Sequence, residues 1–354
     1  MTEPASQPPG KLTIYLGYAA GVGKTYQMLD RGQELRGQGV DVVVGYFEPH
    51  GRQDTISKAQ GLEVVPRRTI SYRGTSFEEM DTEAILRRNP RVCLVDELAH
   101  TNVPGSERLK RWQDVRALLE AGIEVLTTLN VQHLESLNDE VWQLTGVRVR
   151  ETLPDWVVDE AGEIILVDVT PRALRHRLER GVVYAPDKAR QALERFFTEP
   201  NLNALRELAM RHTAHEIEDR LAEEPRQEAP APSGRILICL TASPSAATLI
   251  RRGRRLADYL RTDCLAAYVT ADRGLQGLSS PDREALEKHL NFARNLRIET
   301  HILEGGDPAE TLVNFARSRK VSQILMGQGG KILHRVVRLA RDMEITIVAD
   351  RRRK

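Results

Sequence analysis

Two short stretches hold residue types and spacings that suit phosphate chemistry. In "GVGKT", residues 21–25, small residues run into a lysine and a threonine, and in "RVCLVDELAHTN", residues 91–102, a pair of carboxylates follows an apolar run. Around a phosphate, Gly21, Val22 and Gly23 would let backbone N–H groups converge on its oxygens, and a following helix N-terminus would add partial positive charge. Lys24 would reach the β- and γ-phosphates, and the Thr25 hydroxyl would hold Mg²⁺. The strict spacing asks for glycine at position 18, but Tyr18 stands there and Gly17 lies one residue early. Asp96 would hold the Mg²⁺ shell from a neighbouring strand, and Glu97 would orient or activate water. Glu97 reads equally well as a helix-capping residue. Together the two stretches indicate Mg-nucleotide binding, while fast hydrolysis is only weakly signalled.

Further polar groups cluster where a doubly wound sheet presents ligands, at the carboxyl ends of its strands. "GYFEPHGRQDT", residues 45–55, offers Glu48, His50 and Arg52, and "TTLNVQHLESLND", residues 127–139, offers Thr128, Asn130, Gln132 and His133. Each would sense a γ-phosphate or serve as a turn or cap residue. His50, His100 and His133 lack the spacing of a zinc site.

The elements that must position these groups are legible as alternation. Strands are predicted over residues 12–16, 40–45, 92–95 and 123–128, with helical stretches between, and continuous apolar runs such as "VCLV" suit parallel strands buried on both faces. "AEEPRQEAPAPSG", residues 222–234, has no apolar period and reads as a linker. Beyond it "RILICLT", "CLAAYVT", "RIETHIL", "SQILMG" and "ITIVAD" are strands separated by helices. The predicted fold is α/β: a P-loop-like, doubly wound, mostly parallel sheet over residues 11–221, a linker over 222–233, and a smaller flavodoxin-like domain over 234–350. Residues 1–10 read as a disordered leader and 351–354 as a basic tail.

A chain of 354 residues, 41% of them hydrophobic, can build two proper cores. No stretch approaches the roughly 18 consecutive apolar residues of a membrane span, so a cytoplasmic protein is expected. Cys93, Cys239 and Cys264 each sit singly in apolar surroundings and read as buried reduced thiols. Residues 234–354 carry 22 Lys/Arg against 13 Asp/Glu, and residues 1–233 carry 29 against 37. A basic second half is compatible with an anionic ligand, although solvated arginine-rich faces explain it as simply, and no nucleic-acid partner is expected.

Longer runs carry a family likeness. "LGYAAGVGKTYQMLDRGQELRGQGVDVVVGYFEPHGRQDT", "LVDELAHTNVPGSERLKRWQDVRALLEAGIEVLTTLNVQHLESLND" and "VRETLPDWVVDEAGEIILVDVTPRALRHRLERGVVY" closely resemble the N-terminal cytoplasmic domain of the KdpD family of potassium-responsive sensor histidine kinases. The likeness covers roughly residues 11–221, and it implies that the early Gly17 is in the family position. The remainder resembles a universal-stress-protein-like domain. The nucleotide motif of such domains, G-x2-G-x9-G-[ST], is met at Gly327 and Gly330 but broken at Ala340 and Arg341, and "LTASPS" lacks the aspartate expected after the first strand. In some relatives this domain takes cyclic di-AMP, which would here lie against Ser243, Ser245 and Gly327. The resemblance further implies ATP and Mg²⁺ as ligands and a role in potassium or osmotic signalling. Full family sensors add membrane spans and a transmitter kinase. The sequence shows neither, nor a histidine box around His212 and His215, so a truncated regulatory protein acting on a separately encoded transmitter is expected. A stand-alone P-loop ATPase or small-molecule kinase is the alternative.

Overall fold

The computed structural model describes residues 8–49, 52–181, 183, 193, 196–223, 234–270, 274–328 and 331–349. The chain divides into two units, Met1–Arg220 and Leu221–Lys354. The first is built on strands β1 (Leu12–Gly17), β2 (Val42–Tyr46), β3 (Glu63–Val64), β4 (Arg68–Tyr72), β5 (Thr75–Glu79), β6 (Val92–Val95), β7 (Glu124–Asn130) and β8 (Glu163–Leu166). Six of these form a sheet in the order β3-β2-β6-β7-β1-β8, and every pairing in it is parallel. All residues of β1, β2 and β6 are buried, as expected where helices cover both faces and the strand has no solvent side. The remaining two strands, β4 and β5, make a separate antiparallel hairpin. Its two-residue turn, Arg73 and Gly74, has φ of 48° and 79°, the positive values that a tight twisted hairpin turn needs.

Register places the polar residues. Gly17 pairs with Asn130 and Tyr15 with Thr128, while Val95 pairs with Thr127. The last residues of β1, β6 and β7 therefore meet at one edge. Here the structure corrects an expectation: β6, the strand that leads to Asp96, is not the neighbour of β1, because β7 lies between them. The intervening strand brings Thr128 and Asn130 into the gap between loop and aspartate.

Helix α1 (Lys24–Gly37) follows β1, with its N-cap Gly23 in a left-handed conformation. The other helices of this unit include α2 (Gln53–Ala59), α3 (Thr82–Arg88), α4 (Arg111–Glu120), α5 (Asn138–Thr145), α6 (Trp156–Asp159) and α7 (Pro171–Glu179). Strand β8 and the hairpin have no counterpart in the alternation read from sequence. Gly10, assigned to the leader, donates its N–H to Leu119 O at 2.7 Å and so is bonded to the first unit. At the far end the helix Glu199–Glu223 runs two residues into the expected linker.

The second unit has strands β9 (Arg235–Cys239), β10 (Cys264–Thr270), β11 (Glu299–Glu304), β12 (Val321–Gly327) and β13 (Glu344–Val348). They form a parallel sheet in the order β11-β10-β9-β12-β13. Numbered within the unit this is 3-2-1-4-5, not the flavodoxin order 2-1-3-4-5. Ile236 and Ile238 face one apolar cluster, and Leu237 and Cys239 face the other, the period-two alternation of a strand covered on both sides. All three cysteines are free and buried, and burial pushes each thiol up to about 12. Among the described residues no helix is long and apolar enough to cross a membrane.

Candidate functional site

The carboxyl edge of the first sheet opens into a cleft lined by Ala20, Gly21, Gly23, Lys24, Thr25, Arg52, Asp96, Glu97, Leu98, Ala99, His100, Thr128, Leu129, Asn130, His133 and Glu151. The loop between β1 and α1 wraps tightly at its mouth. Gly21 and Gly23 have φ of 89° and 111°, which glycine reaches without strain. Gly17 is needed for a different reason: a Cβ there would come within 2.6 Å of Val22 Cγ2 and 3.0 Å of Lys24 Cδ. Val22 is itself buried beneath the loop. Tyr18, which replaces the expected glycine, is fully buried and donates its hydroxyl to Val169 O at 3.0 Å, tying the loop to the segment after β8. On the outside, Arg177 of α7 donates to Gly21 O and Val22 O at 3.1 and 3.2 Å.

Lys24 reaches back over the loop. Its Nζ donates to Ala19 O at 3.1 Å and to Asn130 Oδ1 at 2.5 Å, so its hydrogen bonds end on neutral oxygens. Burial pulls the ammonium down to about 8, against the opposing pull of the Asp96 carboxylate. Thr25 Oγ1 donates to Asp96 at 3.1 Å from each carboxylate oxygen. Asp96 also accepts from the Thr128 hydroxyl and from Glu48 N–H at 3.4 Å. Burial pushes its carboxyl up, and the Thr128 hydroxyl works against that shift.

These donors fit a magnesium-bound polyphosphate. A buried cation ending on neutral oxygens is a charge that a phosphate would balance. Beside it stand a hydroxyl and a carboxylate, the hard oxygen ligands Mg²⁺ takes. The first N–H groups of α1, without partners inside the helix, open on the same space.

Glu97 stands at φ 58°, unusual for a residue with a side chain and a form of stored backbone strain. Two side chains hold the peptide that precedes it: Arg111 Nη1 donates to Asp96 O at 3.2 Å, and Glu97 N–H donates to Thr128 Oγ1 at 3.1 Å. The Glu97 side chain is 40% exposed and its carboxylate lies 3.8 Å from Arg111.

Of the residues read from sequence, Gly21, Gly23, Lys24, Thr25, Arg52, Asp96, Glu97, Thr128, Asn130 and His133 line the cleft. Glu48 contributes its backbone but turns its carboxylate to Arg67, 3.5 Å away. Gln132 is not among the lining residues, and His50 falls outside the described residues. His133 Nδ1 bonds to Glu151 O at 2.7 Å, and burial pulls the imidazole down. In the second unit, Ser243 and Ser245 pair hydroxyls at 2.9 Å beyond β9, and Gly327 ends the adjacent strand β12.

Sequence reasoning missed Arg111 and Glu79. Arg111 is fully buried, with its guanidinium 3.7 Å from the centre of the Tyr46 ring and Nη2 donating to Glu79 Oε2 at 3.1 Å. A signal existed. In "RWQDVRALLE" the buried positions of α4 are Arg111, Asp114, Val115 and Leu118, an i, i+3, i+4, i+7 stripe whose first member is an arginine.

Residues 8–217 match the family model of the osmosensitive K⁺ channel His kinase sensor domain, KdpD, and residues 232–341 match that of the universal stress protein family. A putative sensor protein KdpD of Synechocystis is 43% identical, over 98% of this chain and 97% of its own length. The sensor protein KdpD of Escherichia coli is 42% identical over 99% of this chain, which spans only 40% of that protein. Among solved structures, a universal stress protein in complex with cAMP matches at 17% identity, covering 34% of this chain and 98% of its own, with a TM-score of 0.28.

Proposed function

We propose, from the premise that the chain belongs to the KdpD family of sensor proteins and carries a universal-stress-protein domain, that its first unit binds Mg-ATP as a regulatory ligand. Lys24 takes the β- and γ-phosphates, the amides of residues 21–25 surround them, and Thr25 with Asp96 holds Mg²⁺. One observation carries this reading: the buried Lys24 ammonium, directed at neutral oxygens, lies beside the Thr25–Asp96 pair. Nucleotide occupancy then biases the first unit between conformers, which requires that one conformer bind it better. The output is potassium or osmotic signalling through a histidine-kinase transmitter. A cyclic dinucleotide at the second unit would be held at Ser243, Ser245 and Gly327.

Glu97 favours a second reading. Its strained backbone and accessible carboxylate in the cleft suit a residue that orients water, which would make the unit an ATPase or small-molecule kinase. Steady-state phosphate release from the full chain separates the two. Regulatory binding predicts saturable Mg-ATP binding with release no faster than that of Lys24→Ala. Release that both Lys24→Ala and Glu97→Gln abolish would transfer the assignment to the enzyme.

A further inference from the structure

The β4–β5 hairpin is held to the body of the first unit at two roots, and both lead to Asp96. Its last residue, Glu79, is buried and accepts from Arg111 at 3.1 Å, from Val103 N–H at 2.9 Å and from His100 Nε2 at 3.0 Å. Arg111 in turn holds the Asp96 carbonyl. At the other root, Arg67 donates to Phe47 O at 2.7 Å and lies 4.5 Å from the centre of the Tyr46 ring, the ring on which Arg111 also stacks. Tyr46 O accepts from Asp96 N–H at 2.8 Å. Between its roots the hairpin has little else to fix it, since of residues 68–79 only Ile70 and Glu79 are buried. A segment with few buried contacts opens at low cost and responds first when its anchors change.

We propose that this hairpin reports nucleotide occupancy: a change at Asp96 on Mg-ATP binding reaches it through Arg111 and Glu79 at one root and through Tyr46 and Arg67 at the other. The proposal rests on the Mg-ATP reading above. Mg²⁺ shared by Thr25 and Asp96 would replace the hydroxyl that now bonds both carboxylate oxygens, and a resulting displacement of the Asp96 peptide would be carried by Arg111, whose rigid planar fork is bonded at once to Asp96 and Glu79.

The test is hydrogen exchange at residues 68–79 in the full chain, with and without saturating Mg-ATP, in the wild type, Glu79→Gln and Arg67→Gln. Binding of a fluorescent ATP analogue is measured on the same samples. Mg-ATP is expected to slow hairpin exchange about tenfold in the wild type, in the range of local opening equilibria, and the variants to bind nucleotide yet lose most of that change. Arg67 is partly exposed, so Arg67→Gln decides the matter if Glu79→Gln fails to fold. Unchanged hairpin exchange in a wild-type chain that binds Mg-ATP overturns the proposal, as does an equal change in a folded variant. A wild-type chain that binds no Mg-ATP removes the regulatory reading first and this proposal with it.

Discussion

The two units present the same kind of edge with opposite contents. Each is a parallel sheet whose strand ends converge beside a helix N-terminus, where open α/β sheets take ligands. At the first edge the strand ends deliver Asp96, Thr128 and Asn130 to a loop carrying Lys24, and the charged groups are buried. At the second, β9 and β12 lead to Ser243, Ser245 and Gly327, and the two hydroxyls bond to each other in the open. Architecture supplies the position of a site in both, but only the first spends buried charge on it. Burying Lys24 and Asp96 is costly without a partner for the charge, so their presence points to a ligand in a way that a serine pair does not. Fold does not set function here; the side chains at the edge do.

Removing the buried charge should erase the contrast. Lys24→Ala is expected to lower Mg-ATP affinity about a hundredfold, the worth of one or two charge-assisted hydrogen bonds, as read by isothermal titration. Asp96→Asn should cost roughly tenfold, and it should weaken the dependence on Mg²⁺ in a titration of ATP against the metal.

Acidity probes the same charge. The folded-state value of Lys24, about 8, lies below its ordinary 10.5, so the unfolded chain holds this proton more tightly than the native one. Without nucleotide, stability should therefore rise with pH between about 8 and 10.5 and be lost again as pH falls through the folded value. Mg-ATP affinity should run the other way, falling as pH rises through 8 and the ammonium is lost. Urea unfolding and nucleotide titration against pH measure the two slopes, and Lys24→Ala should flatten both.

Smaller effects sharpen the comparison. Tyr18→Phe removes the hydroxyl bond to Val169 O and leaves that carbonyl without it, costing about 1 kcal/mol in urea unfolding. Ser245→Ala, at the second edge, should leave Mg-ATP affinity within about twofold, since Ser245 is not among the residues lining the first unit's cleft.

The setting of the loop was legible because its parts are adjacent in sequence: Gly21 to Thr25 need only the strand before and the helix after them. Asp96 and Glu97 were legible for the same reason. The order of strands was not, since nothing in "TTLN" announces that β7 enters between β1 and β6, and the expectation of adjacent strands failed there. The second sheet was legible as five alternating strands, yet its 3-2-1-4-5 order depends on which edge each crossover returns to. Glu79 and Arg111 stand 32 residues apart and meet only in the folded unit, where the end of the hairpin reaches the start of α4. Tyr18 looked like a defect in a glycine motif because its partner, Val169, lies beyond a strand the sequence reading did not assign.

Stoichiometry tests the role of the buried lysine most directly. Isothermal titration of Mg-ATP into the full wild-type chain and into Lys24→Ala should give one saturable site per chain in the first and none in the same concentration range in the second. A wild-type chain that takes up no Mg-ATP, or a Lys24→Ala chain that binds it with unchanged stoichiometry and affinity, would contradict the claim that the buried lysine of the first unit is the nucleotide's anchor.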